Sequence, residues 1–501
     1  MGQIRKQAII SSIVTYIGFA IGFVNTWLFI RSGEHSFTPA QYGLTRLFFD
    51  LGQLIFAVAS LGIPPVLLKF FPYYKDRLPL KQNDLYTWTL VFPIIGFMLV
   101  LLGGFLFEPL IVRKFSERSE LFVLYYPWVF FFGLGTLLFS IFETFSWTHQ
   151  QTILPNFLRE TGLRILTSIL LLLFYFRFIG FDSFIKLFSF LFLIIAIILG
   201  LTLKAKNYFS VTFQVSTVTQ KFKKKMLALS GYVYSGTIIV ILSQVADTII
   251  IAGISKKGIH DAGVYNLATY IANLIQVPQR SIIAVTVPAL SIAWKNKNML
   301  EINRLYQRTS INLLLLGLFI FTGIWLNIHE IFRLIHIQSE YETGLYVILI
   351  LGITKIIDAG TGVNAQIIAT SSQWRFEFYT GIILVVLILP LNYVLVKNLG
   401  IIGSAYANLI SFTIYNTIRY FFLWSRYKLQ PFNTKTLYSI VMAVVVYGIA
   451  YVLFKDNHNW TGVFYRSSLY AVLFVAGIFL FRLTPDALQL AALVRTKWKK
   501  N

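Results

Sequence analysis

The sequence has no cysteine, which excludes disulfides, cysteinyl metal sites and thiol nucleophiles. Histidine is scarce, and His149, His260, His329, His336 and His458 fall at the ends of apolar runs or in loops without metal-ligand spacing. No G-x-S-x-G, P-loop lysine or H-E-x-x-H motif is present, so the chemistries those motifs carry are not expected. No loop is long enough for a separate soluble domain. A membrane glycosyltransferase or polymerase would be expected to carry acidic residues in a sizeable outer loop, and the outer loops here are short, so the sequence reads as a non-enzyme. Acidic residues are also few, 20 against 43 Lys and Arg, giving a formal net charge of +23. The basic excess collects on loops of one parity, the pattern of segments retained in the cytoplasm rather than of a nucleic-acid-binding face.

What is abundant is apolar sequence: 57% of the residues are hydrophobic, in runs long enough to cross ~30 Å of hydrocarbon. The hydropathy pattern predicts an all-α polytopic membrane protein of about fourteen spans, at 7–30, 42–70, 85–107, 120–146, 156–177, 184–203, 227–254, 263–291, 305–328, 342–369, 376–397, 401–424, 436–454 and 465–483. The first run follows Arg5 and Lys6, is too long for a signal-peptide core and reads as an uncleaved helix. Loops that would be internal hold roughly twice the Lys and Arg of those outside, among them Lys75, Arg77, Lys204, Lys206 and Lys221, which orients both termini toward the cytoplasm. A weak internal echo relates "AQYGLTRLFFDLGQLI", opening the second span, to "AGVYNLATYIANLIQV", opening the eighth. Two six-helix lobes repeated in the same orientation account for it, an arrangement transporters use often. The expected organisation is an N-lobe over 1–203, a basic cytoplasmic linker over 204–225, a C-lobe over 226–424, two extra helices over 425–483 and a cytoplasmic tail over 484–501. In the tail, Thr484 as N-cap and Pro485 at the first position suggest a surface helix carrying Leu488, Ala491, Ala492 and Trp498, or else a solvated tail.

Four spans carry polar residues at helical spacing. Arg46, Asp50 and Gln53 share a face of the second; Asn273, Gln276 and Arg280 share one of the eighth; Thr237, Gln244 and Asp247 lie near one line on the seventh. The first presents Ser11, Thr15, Gly18, Gly22 and Asn25. Small and hydroxylated residues also serve close helix packing, and Arg46 with Asp50 also reads as an internal ion pair. Arg280 has no acidic residue one turn away. An ionisable group at membrane depth usually faces a protein interior or water and marks a substrate path, so a cavity-facing role is expected for it. Lys355 with Asp358 reads as a structural pair, Lys69, Arg164 and Arg419 as snorkelling side chains near span ends, and Asp247 as an ion partner, a cation ligand or a titrating group.

The stretch "SQVADTIIIAGISKKGIHDAGVYNLATYIANLIQVPQRSIIAVTVPALSIAW", with Asp247 and "AGVY" at Ala262–Tyr265, resembles the middle of the polysaccharide-exporter (Wzx-type) flippases of the multidrug/oligosaccharidyl-lipid/polysaccharide exporter superfamily. "AQYGLTRLFFDLGQLIFAVASLGIPPVLLKFFPYYKD" resembles their second helix and following loop, "GTGVNAQIIATSSQ" the end of the tenth helix and "LGIIGSAYANLISF" the twelfth. The resemblance spans about residues 7–430. Members often have a basic residue after the aspartate, whereas Thr248 follows Asp247 here. The resemblance implies a MATE-like fold of two six-helix lobes around a central cavity lined by spans one, two, seven and eight, plus two C-terminal helices. It implies a lipid-linked oligosaccharide, typically on undecaprenyl diphosphate, moved across a bacterial cytoplasmic membrane for surface polysaccharides such as O-antigen. Asn25, Arg46, Asp50, Gln53, Gln244, Asp247, Asn273, Gln276 and Arg280 are the candidate cavity residues. No cofactor is expected; a proton, sodium ion or the membrane potential would supply the drive, and glycosyltransferases and a polymerase are the expected protein partners. A cationic-drug antiporter and a lipid II flippase are the alternatives on the same fold.

Overall fold

The computed structural model describes residues 2–487, with side chains from residue 10 onward apart from residue 12. In chain order the helices are α1 (Gly2–Ile30), α2 (Pro39–Ala59), α3 (Ile63–Lys75), α4 (Leu85–Leu106), α5 (Glu108–Phe115), α6 (Glu120–Tyr125), α7 (Trp128–Thr148), α8 (Ile153–Asn156), α9 (Leu163–Tyr175), α10 (Phe181–Ser189), α11 (Leu191–Ala205), α12 (Thr217–Ile254), α13 (Ile259–Asn273), α14 (Val277–Lys295), α15 (Met299–Leu334), α16 (Leu345–Gly360), α17 (Asn364–Thr370), α18 (Arg375–Leu399), α19 (Ile401–Tyr427), α20 (Thr434–Phe454) and α21 (Trp460–Leu480). Eleven segments among the described residues are long and apolar enough to cross a membrane, and the chain is a multi-pass membrane protein. The expected fourteen spans differ from these eleven in three places. A π turn at Phe157–Gly162 interrupts the fifth, a 3-10 turn at Leu274–Gln276 interrupts the eighth, and α19 is a continuous helix rich in Asn, Ser and Tyr.

The chain divides into two compact units, residues Met1–Gly263 and Val264–Asn501. This division follows contacts, whereas the expected lobes follow the sequence echo. The expected linker at 204–225 already contains the first turns of α12.

In the first unit α7 is the hub, packed on α2 and α11. Phe132 of α7 meets Phe49 of α2 edge-on at 5.0 Å and Phe192 of α11 at 5.1 Å, the T-shaped geometry aromatic quadrupoles favour. The capping box of Thr38 with Gln41, followed by Pro39, starts α2. Near that start, α2 meets the head of α13. A methyl on Gly43 would lie 2.2 Å from the Ile259 carbonyl oxygen, and one on Gly263 would lie 2.0 Å from that of Pro39. Each glycine thus covers the carbonyl four residues before the other, a reciprocal crossing that admits no side chain. The 38-residue α12 is pinned at its foot by Asp84, whose buried carboxylate accepts from Ser216 N at 3.0 Å, Thr219 Oγ1 at 2.7 Å and Trp88 Nε1 at 3.1 Å. One turn past α2, Gly62 adopts φ +68° and sits against the Ser230 carbonyl of α12.

In the second unit the 36-residue α15 is the spine for α14, α16, α20 and α21. Gly400, at φ 63° and ψ −142°, reverses the chain between α18 and α19, a conformation essentially confined to glycine. Helices α20 and α21 bind α15 at both ends. At one, fully buried Arg466 donates to Glu330 at 3.3 Å and to the Leu326 carbonyl at 3.3 Å. At the other, Arg308 and Asn312 converge on Asp486, and Thr484 donates to Asn312 Oδ1 at 2.6 Å. Thr484 also accepts from Asp486 N at 3.3 Å, as its expected N-cap role requires. Leu488, Ala491, Ala492 and Trp498 lie outside the described residues.

Candidate functional site

The polar face of α2 is built by period: Arg46, Asp50 and Gln53 recur at four and three residues while the intervening positions are apolar and mostly buried. Asp50 accepts a hydrogen bond from Thr248 of α12, and the charges of Arg46 and Asp247 act on the same carboxyl. The structure therefore brings four residues of two helices together: Arg46, Asp50, Asp247 and Thr248. Thr248, the residue after Asp247, is the partner sequence reasoning passed over. Arg46 lies over Tyr42 at 5.0 Å and Phe49 at 5.9 Å, and among the described residues it has no carboxylate within 4 Å, so it forms no direct ion pair with Asp50. Gln53 and Gln244 are exposed, and Asp247 is half-buried.

In the second unit the eighth span is not one helix. Its α-helix stops at Asn273, turns as 3-10 through Gln276 and restarts with Pro278 in the first turn of α14. The expectation of one continuous polar face is corrected accordingly, because three residues per turn shift the register. Gln276 turns to α16, where its Nε2 donates to Asp358 Oδ2 at 2.8 Å, while Asn273 and Arg280 are exposed. Asp358 Oδ1 accepts from Asn416 Nδ2 at 3.1 Å, and Asn416 Oδ1 accepts from Thr361 at 3.1 Å and Asn364 at 2.9 Å. This chain of amides and hydroxyls joins α16, α17 and α19 to the 3-10 turn. A period signal was present for it: Asn408, Phe412, Asn416 and Arg419 recur along α19 at steps of four and three.

The stripe on α1 proves to be a packing surface, which corrects the cavity role expected for Asn25. Its Nδ2 donates to the Arg164 carbonyl at 2.8 Å, its Oδ1 accepts from Ser168 at 2.6 Å, and it is 5% exposed. A methyl on Gly18 would lie 2.2 Å from the Glu160 carbonyl, so the missing side chains let the π turn approach.

Arginine partners sort the remaining groups. Arg159 pairs with Glu143 at 2.6 Å, Arg164 with Glu160 at 3.3 Å, and Arg466 with Glu330 at 3.3 Å. Arg419, 3% exposed, pairs with Glu377, hydrogen-bonds Thr380 at 3.3 Å and stacks over Tyr415 at 3.7 Å. Arg164 and Arg419 are thus internal clamps, not the snorkelling side chains expected from their positions, because each has a carboxylate on a neighbouring turn or helix. Arg280, like Arg46, has no carboxylate within 4 Å among the described residues. A guanidinium left without a carboxylate presents a planar fork of donors, the geometry that takes phosphate or carboxylate by paired hydrogen bonds.

A family model described as "Polysaccharide biosynthesis protein" matches residues 4–294, more than half of the chain. The probable low-salt glycan biosynthesis flippase Agl15 of Haloferax volcanii is 23% identical over 253 residues, 49% of this chain and 51% of that protein. The chain therefore matches about half the length of that relative. Among solved structures, the lipid II flippase MurJ in an inward closed conformation superposes with a TM-score of 0.70 at 15% identity, over 94% of this chain and 98% of that one. An inward-facing multidrug resistance MATE family transporter of the MOP superfamily superposes with a TM-score of 0.63 at 13% identity, over 84% and 98%. At these identities the two structures show a shared fold, as the resemblance implied.

Proposed function

This chain belongs to the polysaccharide biosynthesis protein family, and we propose that it is a flippase for a lipid-linked oligosaccharide whose anchor is a polyprenyl diphosphate. One observation carries the reading: among the clamped arginines of the membrane helices, Arg46 and Arg280 stand without a carboxylate and offer their forks to an anion. The half-flippase similarity of the Haloferax protein supports the substrate class. In the first unit Arg46, Gln53 and Gln244 are the residues that meet the polar headgroup, and in the second unit Asn273 and Arg280 do so, while the isoprenoid tail stays in an apolar environment. The membrane is the bacterial cytoplasmic one with both termini inside, and the glycosyltransferases and polymerase of one surface-glycan pathway supply and consume the cargo.

Exporting about two negative charges from a negative interior is favoured by roughly 4–5 kcal/mol per 100 mV. Asp50 with Asp247 is where a counter-moving proton or sodium ion would act instead. Purified protein in liposomes with a fluorescent lipid-linked oligosaccharide tests the reading. Arg280→Ala and Arg46→Ala each lower flipping by about tenfold or more, the loss of one charge-assisted hydrogen-bonded contact. Wild-type flipping rates in both variants would reject the phosphate role. A rate indifferent to an imposed voltage would leave the ion-coupled route.

A further inference from the structure

The first unit holds a cavity that the polar faces do not use. It has a volume of about 390 Å³ and is walled by α2, α4, α5, α7 and α12, through Leu51, Gly103, Ile111, Phe115, Phe130 and Ile249 among others. That size is within the range of sites that take small organic ligands. Its polar side-chain group is the Tyr126 hydroxyl, and that donates to the Gly104 carbonyl at 3.1 Å. The neighbouring face of α4 carries exposed Leu99, Leu102 and Leu106, which is a hydrocarbon-facing surface in a membrane. A recess of this composition holds no water and takes hydrocarbon. Its rim carries both signs: Glu108 opens α5 and its charge acts on the Tyr126 hydroxyl, while Lys114 stands beside the lining Phe115, its stem within 4.0 Å of the Cβ position of Gly253 on α12.

We propose that this recess binds the isoprenoid tail of the lipid-linked glycan next to its diphosphate, with Lys114 receiving the phosphates. The assignment rests on the flippase reading above. The substrate's tail is preferred to a bulk acyl chain because the recess lies one residue around α2 from the polar face. Leu47 follows Arg46, Leu51 follows Asp50 and Leu54 follows Gln53, so one lipid spans both faces of a single helix. With both termini inside, as proposed above, the rim lies on the outer side, and the recess is the resting place of the tail after translocation.

The test uses full-length protein in nanodiscs and two photoreactive probes: a polyprenyl diphosphate with a diazirine in an early isoprene unit, and phosphatidylglycerol with a diazirine in one acyl chain. Gly103→Leu places a side chain on the lining of the recess at a position whose Cβ meets nothing within 4 Å, and it removes a helix-interior glycine. The isoprenoid probe labels α4 and α5 of the wild type and is competed by unlabelled polyprenyl diphosphate. Labelling falls by at least about tenfold in Gly103→Leu, as several methylenes lose apolar contact, and is kept in Gly103→Ala. Ile111→Trp, filling from α5, repeats the loss should Gly103→Leu fold poorly. Equal labelling in both filled variants, or labelling by phosphatidylglycerol that polyprenyl diphosphate does not compete, overturns the assignment. Glycan-lipid flipping is measured separately: a wild type that flips without isoprenoid labelling rejects the recess alone, and one that labels without flipping rejects the flippase reading.

Discussion

Arg419 offers the sharpest test of how this membrane protein handles charge. The side chain is 3% exposed, its partner carboxylate on Glu377 lies one helix away, and the ring of Tyr415 covers its face at 3.7 Å. Arg419→Met removes the cation and leaves half-buried Glu377, whose second oxygen already lacks a hydrogen-bond partner, as an uncompensated charge. Removing one partner of such a pair costs about 3–5 kcal/mol, and the desolvated cation–π contact accounts for up to ~2 of it. Replacing both partners, Arg419→Met with Glu377→Gln, removes the stranded charge and restores most of that loss, because a well-packed neutral pair is often as stable as the ionic one. Arg419→Lys keeps the charge but loses the flat stacking and the Thr380 bond, for an intermediate cost of about 1–2 kcal/mol. Tryptophan-fluorescence unfolding of purified protein in detergent ranks the three variants against wild type. A double variant no better than Arg419→Met, or an Arg419→Met within about 1 kcal/mol of wild type, refutes the account of Arg419 as a desolvated clamp.

Two further outcomes follow from local geometry. Gly62→Ala puts a methyl 2.4 Å from the Ser230 carbonyl at φ +68°, so it costs at least about 1–2 kcal/mol and prises α12 from α3; faster hydrogen exchange around Ser230 checks it, and unchanged protection rejects it. His149, between α7 and α8, is held below its ordinary value of 6.5 by burial and by Lys75, against the opposing Tyr208 carbonyl bond at 2.7 Å. Its neutral form is therefore the one folding favours: the contribution is complete above pH 6.5 and is lost as pH falls through the lowered folded value. Exchange protection of 208–216, corrected for intrinsic rate, should be flat from pH 7 to 8 and decline below 6.5, and His149→Gln should abolish the decline.

The sequence read most securely where a property belongs to one helix. Apolar runs located the membrane helices, and the four- and three-residue steps placed Arg46, Asp50 and Gln53 on one face of α2. Reading failed where the answer depends on a neighbour. Thr248 looks like a missing cation until α12 docks on α2 and its hydroxyl meets Asp50. Asn25 looked like a cavity residue because an amide in an apolar helix is conspicuous, yet α9 supplies both of its partners. The breaks in the fifth and eighth spans escaped a hydropathy window, which averages over a π or 3-10 turn of six or three residues.

The arginines show why pairing, not position, separates architecture from function in this chain. A guanidinium at membrane depth costs at least about 2.5 kcal/mol even on lenient scales, so it is retained only where something offsets that cost. For Arg159, Arg164, Arg419 and Arg466 the compensation is a carboxylate of the same unit, and each joins two helical segments. Arg46 and Arg280 have no carboxylate within 4 Å among the described residues, and on the proposed reading water and a visiting anion supply the compensation. Both are retained, on that reading, because they meet the phosphates of the cargo. On the same reading Asp50, hydrogen-bonded by Thr248 and flanked by the Arg46 and Asp247 charges, is where a coupling ion would act.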